Sequence, residues 1–434
     1  MLRPFALAVA SALLLASCSG GGSQAAPVTS PATGAAAATP TAVPTPAGPP
    51  RFEASRALGH IEQLSVAIGA RVAGSTGETR AAEYIRDQFR ASGYAVEIVP
   101  FTFKGDTYRP ATVSTKDAQL PAFTMTGSPG AKVTGAAVLV GIADAAAVSG
   151  RDLAGKIALA DRGSIRFSEK VTAVAAAGAA GLIVINNEDG DLLGNIGFES
   201  AFPVTGVDRK TGDALRAAAS RGESITVETP VAQEGHAVNV IARPSPGARC
   251  DVIAGGHHDT VPGTGGAHDN ASGAAETIEL ARAFAAGGIA PGLCFVTFGA
   301  EESGLHGSQA LVQALQSTGI LPRAMINLDT VGAGTAIDII GTGSLTQQAY
   351  ALARALSIEA AVVELGGQFG SDHQSFEKAG VPVVFFATND FSKIHTPADT
   401  IDTINRDLLA NQGALAMAFI KELLGRVAQP AERS

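Results

Sequence analysis

The sequence predicts an α/β fold, a mostly parallel mixed sheet sandwiched by helices, with a β-rich segment inserted. Three observations carry this. Between residues 236 and 428, short apolar runs alternate with stretches of helical spacing, the pattern of a parallel sheet covered by helices. Residues 51–104 open in the same manner. Residues 105–235, between them, are strand-rich and of different texture. At 434 residues the chain exceeds one ordinary core, so two domains are expected. Hydrophobic content is 46%, and the net charge of −9 comes without a basic cluster, which argues against a nucleic-acid partner.

Residues 1–17 read as a signal peptide. Arg3 is its basic end, and Phe5 to Leu15 is an apolar run too short for a permanent membrane span. The following Leu15-Ala16-Ser17-Cys18-Ser19-Gly20 resembles the lipobox of bacterial lipoproteins, in which Cys18 would carry the lipid. The alternative is an ordinary secretory signal cut near Ala16, with Cys18 incidental. Either way the chain is expected to be exported, as a membrane-anchored lipoprotein or secreted to the envelope or beyond. Residues 18–50 carry no charge and are Pro, Ala and Thr-rich, so they read as a disordered tether.

The folded part is expected to comprise residues 51–108, an insert over 109–234, and 235–428, with 429–434 as a tail. Leu58, Ile61, Leu64 and Ile68 mark a first helix over Ala54 to Ile68. Ala81, Ala82, Ile85 and Phe89 mark a second, capped by Gly93. A strand follows at Val96 to Phe101. In the insert, strands read at Ala136–Val140, Ile157–Ala160, Leu182–Ile185 and Ile225–Val227, with a helix at Lys170–Ala177. Beyond it, strands read at Ala237–Ala242, Val252–Gly255, Leu293–Phe298, Ala324–Leu328, Ala336–Ile340, Ala361–Glu364 and Val381–Phe386. Helices read at Gly273–Ala285, His306–Ser317, Leu345–Leu356, Gln374–Ala379 and Asp407–Val427.

In open α/β sheets, sites collect at the carboxyl ends of strands. Four segments bring polar residues there: His257 and Asp259, Glu301 and Glu302, Asp329, and His395. Asp269 stands in a glycine-rich loop before the helix near Ser272, where Asn270 and Ser272 suit helix caps. Two histidines and three carboxylates suit a pair of zinc ions, and one glutamate is left over for proton transfer. Of the adjacent Glu301 and Glu302, which repel unless cations or solvent are near, one can bind metal while the other acts as general base. Cys250 and Cys294 each lie seven residues before a motif residue. If their strands are parallel neighbours about 4.8 Å apart, the matching register permits a disulfide, and two buried free thiols are the alternative.

His-x-Asp at 257–259, Asp-Asn at 269–270, Glu-Glu at 301–302, Asn-Leu-Asp at 327–329 and His-Thr-Pro at 395–397 together resemble the two-zinc aminopeptidases of the bacterial leucyl-aminopeptidase type. These are relatives of glutamate carboxypeptidase, the transferrin receptor ectodomain and glutaminyl cyclase. Asp152 to Leu159 and Ala177 to Asn186 resemble the protease-associated domain. The resemblance covers about residues 51–428 and implies a zinc exopeptidase fold acting on peptides. It implies that His257 and Asp329 hold one zinc, that Glu302 and His395 hold the other, and that Asp269 bridges them. Glu301 would be the general base, Asp259 would orient His257, and a cis peptide would follow Asp269. Asp372 and His373, in Ser371-Asp372-His373, match a segment that lines the substrate cleft. Tyr often stands where His258 does, and His268 matches no ligand. Ser371 lacks the Gly-x-Ser-x-Gly setting of a nucleophile. The alternatives are a carboxypeptidase, which would need arginines on the rim to grip a carboxylate, glutaminyl cyclase chemistry, and a non-catalytic receptor-like protein. The named rim segments contain no Arg, and all five ligand positions are filled.

Overall fold

An eight-stranded mixed sheet carries helices on both faces, and a closed barrel is inserted after its first strand. The computed structural model describes residues 50–105, 109–187, 190–341, 343–364 and 370–427. The signal segment, Cys18, the tether up to residue 49 and the tail at 429–434 lie outside the described residues. No helix among the described residues is long and apolar enough to cross a membrane.

In chain order, α1 (Ala54–Glu62) runs into a wider turn at Gln63–Ile68 and is followed by α2 (Thr76–Ala91) and β1 (Ala95–Gly105). The barrel holds β2 (Arg109–Ser114), β3 (Gln119–Thr124), β4 (Ala131–Leu139), α3 (Ala145–Val148), β5 (Ile157–Asp161), α4 (Phe167–Ala176), β6 (Gly181–Ile185), β7 (Val204–Val207), α5 (Arg209–Ser220) and β8 (Ser224–Thr229). The chain returns through β9 (Gln233–Arg243), β10 (Val252–His257), α6 (Ser272–Ala286), β11 (Leu293–Phe298), α7 (His306–Thr318) and β12 (Ala324–Leu328). It closes with β13 (Ile337–Ile340), α8 (Ser344–Ala355), β14 (Ala360–Val363), α9 (His373–Lys378), β15 (Val383–Thr388) and α10 (Arg406–Val427).

The sheet order is β1-β9-β11-β10-β12-β15-β13-β14. Its centre, β11, β10, β12 and β15, is parallel, while β9 and β13 flank it antiparallel. Alternate residues feed two cores, as a two-fold strand period requires. Val252, Ala254, Phe295 and Ile326 pack under α1, α2, α6, α8 and α10. Ile253, Val296 and Met325 pack under α7 and α9 with Leu311 and Phe376. The first predicted helix spans Ala54 to Ile68 as expected, with its second part, Gln63–Ile68, wound wider before Gly69. The strands β2, β3 and β7 and the helix α5 were not read from the sequence; the buried face of α5 is Thr211, Gly212, Leu215 and Ala218, small or polar apart from one leucine.

Cys250 and Cys294 form a disulfide with Cα atoms 5.4 Å apart. The route differs from the sequence expectation. Ile253, not Cys250, stands opposite Cys294, and His257 stands opposite Phe298. The amides of Asp251 and Val252 both donate to the Gly292 carbonyl, so the chain turns at the foot of β10 and brings Cys250 back to its partner.

Candidate metal centre

The central strands end where the chemistry begins. His257 is the last residue of β10, Asp329 directly follows β12, and Glu301 lies three residues past the end of β11. Three backbone positions here are left-handed without glycine: Ala300 (φ 54°) before Glu301, Thr330 (φ 51°) after Asp329, and His395 itself (φ 58°). Such conformations cost energy and collect at functional sites. The Asp269–Asn270 peptide bond is cis.

Close packing positions the bridge segment. A Cβ on Gly256 or on Gly273 would stand 1.9 or 2.0 Å from the Leu328 carbonyl, so only glycine lets the start of α6 approach this strand end. Asn270 uses that closeness: its amide donates to Leu328 O (3.0 Å), and its oxygen accepts the Gly273 amide (2.8 Å), capping α6. Ser272 donates to His268 O and accepts from Val331 N, so it ties two loops rather than capping.

His257 Nε2 stands 3.2 Å from Asp269 Oδ1 and 3.4 Å from Asp329 Oδ1. His395 Nε2 stands 3.0 Å from Asp269 Oδ2 and 3.1 Å from Glu302 Oε2. Zinc bonds of about 2.0–2.1 Å at tetrahedral angles place neighbouring ligand atoms about 3.3–3.4 Å apart. The observed separations are near that spacing, and the two oxygens of Asp269 are divided between the two imidazoles. Asp329 Oδ2 accepts from Ser371 (2.6 Å), whereas the buried Oδ1 has no hydrogen-bond donor. Among the described residues, two overlapping groups have the proximity to hold a cation: His257, Glu301 and Asp329, and His257, Asp269 and Glu302. The donor set therefore fits zinc.

Around these atoms stand supports. Asp259 accepts the amides of Glu301 (3.0 Å) and Glu302 (3.3 Å), and its carboxylate lies 3.4 Å from His257 Nδ1. The Asp259 carbonyl is 3.2 Å from the same nitrogen. Asn327 donates to Ser371, which donates to Asp329. Burial holds Glu301 well above the usual carboxyl range; His257 opposes this, while Glu302, Asp329 and Asp372 add to it. Burial pushes Glu302 and Asp372 up to about 7. For Asp269 burial acts upward, but His257 and His395 outweigh it and hold the carboxyl low. Glu302 is the leading cause that lifts His395 to about 11. For His257, burial acts downward, yet Asp329, Glu301, Asp259 and Asp269 hold it well above the usual value. This excess of buried carboxylates calls for cations.

The structure thus gathers His257, Asp259, Asp269, Glu301, Glu302, Asp329 and His395. Asp372 is fully buried beside them, and His373 packs on Phe385 with ring centroids 4.9 Å apart, burial pushing it down to about 4. His268 turns away, its Nε2 3.3 Å from Thr388 Oγ1. Cys250 and Cys294 lie at the other end of the strands.

Two residues escaped sequence reasoning. Arg71, from the α1–α2 connection, is fully buried and donates to the carbonyls of Leu64, Gly69, His258, Gly265 and Gly266. The partners of its guanidinium are all main chain, so no residue pattern betrays them. Asp399 accepts the amides of His268 and Asp269. Its place four residues after His395 was the available signal.

Residues 239–420 match peptidase family M28, and residues 115–215 match the PA domain. The solved aminopeptidase from Aneurinibacillus sp. strain AM-1 is 34% identical with a TM-score of 0.68, over 86% of this chain and 94% of that one. BSAP, a zinc aminopeptidase from Bacillus subtilis, is 26% identical with a TM-score of 0.75, over 86% and 95%. The probable lipoprotein aminopeptidase LpqL of Mycobacterium tuberculosis is 30% identical over 57% of this chain and 52% of its own. The chain belongs to peptidase family M28 and is a zinc metallo-aminopeptidase with a PA domain.

Proposed function

We propose that this protein is an exported two-zinc exopeptidase that removes residues one at a time from the N-terminus of peptides. The observation that carries the reading is the division of Asp269, one oxygen toward His257 and the other toward His395. His257 and Asp329 would hold one zinc, Glu302 and His395 the other, and Asp269 both. Zinc in this setting supplies a Lewis acid for the scissile carbonyl and lowers the pKa of water toward neutrality. Glu301 takes a proton from the attacking water at its carboxylate, then returns it to the leaving amine. Asp259 holds the imidazole of His257 and, through two amides, the turn that carries Glu301. Asp372 and His373 line the cleft beside the scissile group.

Residues 109–234 form an insert that filters peptides by size. Cys18 anchors the chain to a membrane by a lipid, a reading that the name of LpqL supports. The burial of Arg71 among carbonyls removes it from the rim, where a carboxypeptidase would need such a group.

The test is mass spectrometry of the products of an unblocked ten-residue peptide with the zinc-loaded protein, alongside a count of bound metal. A ladder shortened from the N-terminus with two zincs per chain is expected. A C-terminal ladder would move the assignment to carboxypeptidase, and no cleavage with no metal would favour a binding protein.

A further inference from the structure

We propose that Arg71 and Asp399 are positioning residues of the metal centre, two buried charges of opposite sign that clamp the bridge segment through its backbone. The inference rests on the reading of Asp269 as the bridging ligand. Arg71 holds the carbonyl side of this segment: Nη1 donates to Gly265 O (2.6 Å) and Nη2 to Gly266 O (3.0 Å). Asp399 holds the amide side, accepting from His268 N (2.7 Å) and Asp269 N (3.0 Å). The chain from 265 to 269 is thus pinned on both sides, and neither charged residue is among the ligands.

The same two residues reach the other ligand segments. Nε of Arg71 donates to His258 O (2.7 Å), the residue between His257 and Asp259, and the Arg71 amide donates to Thr260 Oγ1 (3.0 Å). Asp399 lies on the loop of His395, with its amide bonded to Thr396 O. Arg71 therefore fixes Asp269 relative to His257, and Asp399 fixes it relative to His395. Those are the two spacings, 3.2 and 3.0 Å, on which the bridge depends. Looseness of even about 0.5 Å degrades such a site.

The chemistry of the two side chains suits the task. Gly266 is left-handed (φ 55°), and its turn buries carbonyls that need donors. A planar guanidinium serves five carbonyls at fixed angles; a lysine ammonium is a point with three donors and cannot. A carboxylate accepts two adjacent amides at once, whereas an asparagine would turn an NH2 group toward one of them. Arg71 also opposes the negative charge of Asp259, Asp269, Glu302 and Asp399 without touching a ligand atom.

The experiment compares zinc affinity, by competition with a chromophoric chelator, in the full chain and in D399N, R71K and F89L. Phe89 is buried in the core of α2 and serves as a destabilised control. All are measured below their melting temperatures, together with kcat and KM. D399N and R71K are expected to bind zinc about 10–100-fold more weakly and to lose kcat more than KM, as supports of metal ligands do. F89L is expected to lose melting temperature and keep zinc affinity. Wild-type zinc affinity in D399N, or a loss in F89L that tracks its melting temperature, would overturn the clamp; should R71K fail to fold, D399N decides alone. A wild-type chain that takes up no zinc would remove the metal reading and the clamp with it, whereas unaltered affinity in D399N removes the clamp alone.

Discussion

The carboxylate of Asp259 receives the amide of Glu301 at 3.0 Å while standing 3.4 Å from the imidazole of His257. One buried carboxylate thus sets both the side chain proposed to hold zinc and the turn proposed to move the proton. Asp259→Asn keeps the shape but loses one acceptor. The expected result is a fall of about 10–100-fold in kcat/KM and weaker zinc binding. Unchanged kcat/KM in a folded D259N would sink this role.

Glu301 belongs by position to one of the two groups able to hold a cation, yet it is assigned here to proton transfer. Glu301→Gln separates the two roles. As general base its loss lowers kcat by about 10²–10⁴-fold and leaves two zincs bound. Loss of one zinc on equilibrium dialysis would instead make it a ligand.

Glu276 on α6 is fully buried, neither carboxylate oxygen meets a hydrogen-bond donor, and burial pushes it up to about 8. Its folded pKa lies above the unfolded value near 4.5. The contribution to stability is therefore full below pH about 4.5 and is lost as pH rises toward 8. Glu276→Gln should flatten the stability-pH curve across that window and gain a few kcal/mol over wild type at pH 8. Denaturant melts at pH 5 and pH 8 read this directly, and parallel curves for the two proteins would refute it.

The Cys250–Cys294 bridge closes a loop of sequence separation 44 at the end of the strands away from the metal centre. Replacing both with Ser is expected to lower stability by about 2–4 kcal/mol and to leave zinc content and kcat unchanged. A double variant that loses zinc while still folded would show that the bridge acts on the site.

Much of this was legible beforehand. Continuous apolar runs such as Val252 to Gly255 betray strands buried on both faces, because each buried position leaves a residue-type signature. The motif residues at the strand ends were readable for a related reason: metal and proton chemistry requires particular side chains, and His257, Asp269, Glu301, Glu302, Asp329 and His395 are those side chains. The barrel was less legible. In β2 only alternate positions are buried, and one of them, Arg109, is charged.

The sequence by itself determined the fold class and the inventory of ligand-type groups, since both follow from side-chain chemistry and local periodicity. Tertiary structure decided everything that depends on register and on the backbone. It placed Ile253 opposite Cys294, bent the chain so that Cys250 still reaches its partner, and sent His268 toward Thr388. It also brought Arg71 and Asp399 to the carbonyls and amides of the Asp269 segment. Main-chain groups are the same at every residue, so a support built on them leaves no mark in the sequence of its partner.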